Sequence, residues 1–106
     1  MTMTNWTDVA AEADLFDDCG IAVPLAGREV ALFRIDGQVW ATDNQCSHGD
    51  ARLCEGFVEG HEVECPFHQG RFDVRTGAAT CKPATEPVRC WPVKIEGGRV
   101  FLQEAP

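Results

Sequence analysis

The chain has 106 residues, nine Lys+Arg against seventeen Asp+Glu and a net charge of −8, enough for one domain with a modest core. That acidic balance argues against nucleic-acid binding and against docking on an anionic membrane, both of which want a basic face. With 44% hydrophobic and 25% charged residues, the composition is that of a folded domain. Six cysteines in so short a chain call for a covalent or metal-based staple.

Along the chain, residues 1–13 show neither a basic start nor an apolar stretch, so no export signal is expected. No apolar run reaches the ~18 residues of a membrane span. The expected compartment is therefore cytoplasmic, where cysteines serve metal or redox chemistry more often than disulfides. Asp8–Asp18 has the chain's only helical look, short and acidic. Three β-type runs follow, Gly20–Leu25, Glu29–Ile35 and Gln38–Thr42, separated by Ala26-Gly27 and Asp36-Gly37. The second pair is a strong hairpin signal, because Asp and Gly tolerate positive φ. Val88–Ile95 and Arg99–Leu102 flank a further turn at Glu96-Gly97-Gly98. The expected class is all-β, an antiparallel sandwich or small barrel in a single domain spanning 1–106.

Residues 43–87 differ from both flanks. They hold all three histidines and four of the six cysteines, with turns at Glu55-Gly56, Gly60-His61 and Thr76-Gly77. Little apolar content is available to fix such a segment, so something else must hold it. Two motifs stand out, Cys46-Ser47-His48 and Cys65-Pro66-Phe67-His68, in the pattern C-x-H-x16-C-x-x-H. Two thiolates and two imidazoles allow a tetrahedral structural zinc or a [2Fe–2S] cluster with sulfur on one iron and nitrogen on the other. Each motif offers one sulfur and one nitrogen, whereas zinc fingers group like ligands, so the spacing favours the cluster. Gly49 and Gly70, which follow the two histidines, would let backbone N–H groups approach bridging sulfides. Pro66 holds Cys65 toward an extended conformation.

The runs Asp43-Asn44-Gln45-Cys46-Ser47-His48-Gly49 and Glu64-Cys65-Pro66-Phe67-His68-Gln69-Gly70-Arg71-Phe72-Asp73 resemble the cluster loops of Rieske-type ferredoxins. The likeness is to the ferredoxin components of bacterial aromatic-ring-hydroxylating dioxygenases and runs from about Trp6 to Leu102. It implies a Rieske fold, with a sandwich-like base (1–42 and 88–106) carrying a small cluster-binding subdomain (about 43–87) at one tip. It also implies one [2Fe–2S] cluster, with Cys46 and Cys65 on the buried iron and His48 and His68 on the outer one. The implied role is a monomeric one-electron shuttle, not an enzyme, between a flavin-containing NAD(P)H-dependent reductase and a terminal oxygenase. The other readings are a zinc-stapled interaction module without redox chemistry, or a small Rieske subunit of another oxidoreductase.

Departures from other Rieske types are informative. Ala51 and Phe67 stand where the Rieske proteins of cytochrome bc complexes carry a disulfide beside the cluster. With no Tyr, Ser47 as the sole Ser, and Arg at position 71, the hydroxyl donors of high-potential clusters are missing. A potential toward the low end of the Rieske range is expected. Cys19, Cys54, Cys81 and Cys90 read as buried small hydrophobes, His61 as a surface turn residue, and Trp6, Trp40 and Trp91 as core packing. Lys82-Pro83-Ala84 is either a loop shielding the cluster or an ordinary turn. Asp50, Glu55, Glu59, Glu62 and Glu64 could form a solvated face or a docking face.

Overall fold

The computed structural model describes residues 6–47, 51–67, 69–82 and 84–104. Its strands, in chain order, are β1 (Trp6–Ala11), β2 (Cys19–Leu25), β3 (Arg28–Ile35), β4 (Gln38–Asp43), β5 (Phe57–Glu59) and β6 (Glu62–Glu64), then β7 (Arg71–Asp73), β8 (Ala79–Cys81), β9 (Cys90–Trp91), β10 (Val93–Glu96) and β11 (Arg99–Gln103). They form three sheets, ordered β1-β11-β10, β2-β3-β4-β9 and β5-β6-β7-β8. Every pairing between named strands is antiparallel. The all-β expectation holds. Among the described residues, no helix is long and apolar enough to cross a membrane.

Strand β3 is the spine, because it is apolar on both faces. Val30 and Leu32 enter a core with Leu15, Val23, Leu25, Ala41, Trp91, Val100 and Leu102. Ala31, Phe33 and Ile35 point the other way, into a second core with Leu53, Val63, Phe72 and Val74. Alternation of side chains along a strand divides a continuous apolar run between two cores in this way. The first core glues the β1-β11-β10 sheet to the β2-β3-β4-β9 sheet. The second joins that sheet to the four short strands between residues 57 and 81, so residues 43–87, expected to have little apolar content to fix them, supply most of a buried apolar core.

The hairpin signals are borne out. Asp36 and Gly37 adopt φ of 54° and 76° in the turn between β3 and β4, as a two-residue type I′ connection requires. The Gly97-Gly98 turn likewise joins β10 to β11, with φ of 59° and 76°.

Two elements differ from expectation. Asp8–Asp18 is not helical: Trp6–Ala11 is a strand paired along β11, and only Glu12–Asp14 forms a single 3₁₀ turn. The β11 edge supplies the backbone partners, and Arg99 bridges to Asp8 across the pair at 2.8 Å, so tertiary pairing overrides a weak local preference. Residues 88–95 are not one strand either. Pro92 separates β9, which pairs with β4, from β10, which pairs with β11. A residue lacking an N–H cannot donate to a ladder; Pro24 is tolerated in β2, an edge strand, whereas Pro92 marks where the chain changes sheets.

Candidate functional site

Two hairpins of the same construction carry the cysteines. The Cys46 amide donates to the Ala51 carbonyl at 2.9 Å, and the Cys65 amide donates to the Gly70 carbonyl at 2.7 Å. In each case the acceptor lies five residues ahead, so both cysteines sit at the same place in their loops. Both side chains are buried, at 2% and 0% exposure, within one apolar cluster that also holds Ala51, Leu53 and Ala84. No disulfide joins any of the six cysteines.

Behind the first loop stands Asn44, a fully buried polar residue at the end of β4. Its Oδ1 accepts the Cys54 amide at 2.8 Å and its Nδ2 donates to Glu29 at 2.7 Å. Its backbone carbonyl accepts the Leu53 amide at 2.6 Å. A buried amide side chain satisfied on both ends specifies one geometry for the chain around it. Arg52 adds bonds to Glu29 at 2.8 and 3.2 Å and to Glu55 at 3.0 Å. Arg52 holds the Glu29 carboxyl below the usual carboxylate range, with Asn44 assisting.

The second loop turns through Gln69, at φ 61°, whose amide donates to the Cys65 carbonyl at 3.1 Å. At Gly70 the reason for glycine is a close approach: a Cβ there would stand 2.7 Å from the Cβ of Ala84 and 2.9 Å from its amide nitrogen. The same 84–86 stretch reaches the first loop, since the Ser47 hydroxyl donates to the Glu86 carbonyl at 2.7 Å. One strand-free segment thus touches both loops. Of Lys82-Pro83-Ala84, Ala84 is buried beside the cysteines, while Pro83 lies outside the described residues.

His48 and His68 also lie outside the described residues, as do Gly49 and Asp50. Among the described residues no group of three or more His, Cys, Asp or Glu could hold a metal ion. The donors on view are the two buried thiols of Cys46 and Cys65. Their shared apolar surroundings fit the sulfur-bound, inward side of a cluster, and the donors for an outward side would have to come from elsewhere.

Other expectations divide. Cys54 and Cys90 are half-buried, and burial pushes both thiols up, which makes them poor nucleophiles and ligands. Cys19 and Cys81 are exposed, because each ends an outer strand of its sheet. His61 occupies the turn between β5 and β6, half-buried, edge-on to Trp40 with ring centroids 6.2 Å apart. Trp91 is buried in one core, at 6% exposure, and half-buried Trp40 packs against the other; the Trp91 indole N–H donates to Asp43 and the Arg89 guanidinium lies 4.0 Å over its ring. Glu55, Glu59, Glu62 and Glu64 are not a bare acidic face, since Arg52 pairs with the first and Arg71 with the other three. The sequence reading missed Asn44 and the Ser47–Glu86 tie. A polar residue ending an apolar strand just before the first cysteine was the available signal for Asn44.

Paired hairpins with their cysteines turned into one apolar core, on an antiparallel β base, fit the framework of a small iron–sulfur electron-transfer domain. A family model described as "Rieske [2Fe-2S] domain" matches residues 5–92, and the chain belongs to that family. It is 50% identical over 99 residues to the "Naphthalene 1,2-dioxygenase/salicylate 5-hydroxylase systems, ferredoxin component" of Ralstonia sp, covering 93% of this chain and 95% of that one. The "Ferredoxin of carbazole 1,9a-dioxygenase from Nocardioides aromaticivorans IC177" superposes with a TM-score of 0.92 at 36% identity, covering 96% of this chain and all of that one. A "Complex of reduced oxygenase and oxidized ferredoxin in carbazole 1,9a- dioxygenase" contains a chain matching with a TM-score of 0.88 at 34% identity, covering 96% and 95%. The cofactor is accordingly a Rieske-type [2Fe–2S] cluster, and the protein is an electron-transfer component, not a catalyst. The zinc reading falls with that assignment.

Proposed function

We propose that the protein carries single electrons from a flavin-containing, NAD(P)H-dependent reductase to the terminal oxygenase of an aromatic-ring-hydroxylating dioxygenase, as a soluble cytoplasmic monomer. In this reading Cys46 and Cys65 bind the inner iron and His48 and His68 the outer one. Residues 43–87 are the cluster-binding segment on a base formed by 1–42 and 88–106. The observation that carries the proposal is the placement of the Cys46 and Cys65 side chains in one apolar core from two hairpins closed by the same bond.

When bound, the cluster would supply a one-electron store whose four terminal ligands come from the protein. What the chain adds is rigidity and exclusion of water. Cys46 and Cys65 reach inward from loops whose closing bonds and ties to 84–86 are already made, so accepting an electron demands little reorganisation of the protein. Ala51, Leu53 and Ala84 keep the sulfur side dry. The short motif residue His48 and its counterpart His68 would give the partner its nearest approach. Support for the partner class comes from the relatives named above.

The test is reconstitution. The purified holoprotein should accept electrons from such a reductase and support turnover by a dioxygenase terminal oxygenase. His48→Ala and His68→Ala should each lose the cluster or alter its visible spectrum. A normal spectrum in both variants would overturn the ligand assignment, and failure to reduce any oxygenase of this class would overturn the partner.

A further inference from the structure

Each cysteine hairpin has an arginine immediately after its closing carbonyl. Arg52 follows Ala51 and Arg71 follows Gly70, so each lies six residues beyond its cysteine. Both guanidiniums span from the mouth of their loop to neighbouring elements. Arg52 reaches Glu29, in β3 of the base, at 2.8 Å and Glu55 at 3.0 Å. Arg71 reaches Glu59 of β5 at 2.7 Å, Glu62 of β6 at 3.6 Å and Glu64 at 3.1 Å. Glu64 immediately precedes Cys65 and stands opposite Arg71 in the β6–β7 register. Hydrogen bonding to Glu59 leads the causes that raise the Arg71 pKa, so this charge is permanent.

We infer that Arg52 and Arg71 are a matched pair of positioning residues for the cluster, the first anchoring its hairpin to the base and the second offsetting part of the carboxylate charge gathered beside Cys65. The inference rests on the ligand reading proposed above. Surface ion pairs contribute little stability singly, and one guanidinium shared by three acids leaves two negative charges in excess, so these contacts are a poor device for holding a sheet together. They are a good device for fixing a loop mouth and a local charge. Without Arg71, Glu59, Glu62 and Glu64 face one another as like charges on adjacent strands. The added negative field disfavours the reduced, more negative cluster and lowers its potential. Removing Arg52 acts differently, because Glu29 keeps its bond from Asn44. That change frees the first hairpin and leaves one carboxylate, Glu55, without its ion pair, where loss of Arg71 leaves three.

The experiment compares the holoprotein with Arg71→Gln, Arg71→Lys, Arg52→Gln and Arg99→Gln. Arg99 makes a similar exposed pair with Asp8 between β1 and β11, in a sheet that carries neither loop, and serves as the control. At low salt Arg71→Gln should shift the oxidised-to-reduced ratio at a fixed potential by at least about threefold, or about 28 mV at 59 mV per tenfold for one electron. The shift should shrink in high salt, and Arg71→Lys should restore most of the potential. Arg52→Gln should release iron to a chelator severalfold faster and move the potential less than Arg71→Gln does. Arg99→Gln should do neither. An unchanged potential in Arg71→Gln, or equal effects in Arg99→Gln, would overturn the inference. Absence of a Rieske spectrum in the unaltered protein would instead overturn the ligand reading beneath it.

Discussion

Ala84 stands against Gly70 so closely that a single added methyl would come within 2.7 Å of its Cβ. The carbonyl of that glycine receives the amide of Cys65 at 2.7 Å, so the contact bears directly on the mouth of the second loop. Gly70→Ala should push the 84–86 stretch away or open the Cys65–Gly70 bond. Either outcome loosens the cover over the sulfur side. We expect a loss of about 1–3 kcal/mol, the usual range for overpacking, and faster cluster bleaching in air. Thermal unfolding and the decay of visible absorption measure the two.

Asn44 supports the first loop by satisfying the Cys54 amide and Glu29 together. Asn44→Ala strands a buried N–H and empties an amide-sized space, for a cost of about 2–4 kcal/mol. Urea unfolding of the holoprotein should show the midpoint falling by that equivalent. A value near zero would mean the neighbouring backbone bonds alone hold residues 44–54.

Acid sensitivity follows from the depressed Glu29 carboxyl. A carboxylate whose folded pKa lies below its unfolded value, about 4.3 for glutamate, contributes its full stabilisation above that unfolded value. The contribution is lost as the pH falls through the folded pKa. Retention of iron should therefore be flat from neutral pH down to about 4.3, then fall as Glu29 protonates and releases Arg52 and Asn44. Glu29→Gln should remove part of this acid dependence and raise iron loss at neutral pH. A profile identical to that of the parent would show that the tie is not used.

The reduction potential should lie toward the low end of the Rieske range of about −150 to +300 mV. Fewer hydroxyl donors leave more negative charge on the sulfides, and the one serine is already committed, since its hydroxyl donates to Glu86 at 2.7 Å. Ser47→Ala should consequently leave the potential nearly unmoved while weakening the link between the first loop and the 84–86 stretch. A midpoint well above zero, or a large fall in Ser47→Ala, would show that the hydroxyl serves the cluster instead.

How much of this was legible in the sequence varies with the range of the interaction. The β3 run and the Asp36-Gly37 and Gly97-Gly98 turns were plain, because period, apolarity and positive φ are local properties. Of the site motif, the matched placing of Cys46 and Cys65 was plain, because ligand chemistry restricts residue type and spacing together, while His48 and His68 lie outside the described residues. The Trp6–Ala11 strand was not, since its partner β11 lies some ninety residues away and its own residues have no clear pattern. The break at Pro92 was visible as a proline but not as a change of sheet. Glu55, Glu59, Glu62 and Glu64 looked like an open acidic surface because their partners, Arg52 and Arg71, reach them only once the hairpins close. Cys19 and Cys81 were misplaced for the converse reason: nothing in a cysteine's neighbours along the chain says that its strand will lie at an edge.

The central claim is that sulfur and nitrogen hold opposite sides of the same cluster. Pulsed electron paramagnetic resonance of the dithionite-reduced protein tests it most directly. Strong couplings to two imidazole nitrogens, with one lost or altered in each of His48→Ala and His68→Ala wherever the cluster survives, are the predicted result. A reduced cluster without nitrogen couplings, ligated by sulfur alone, would contradict the account.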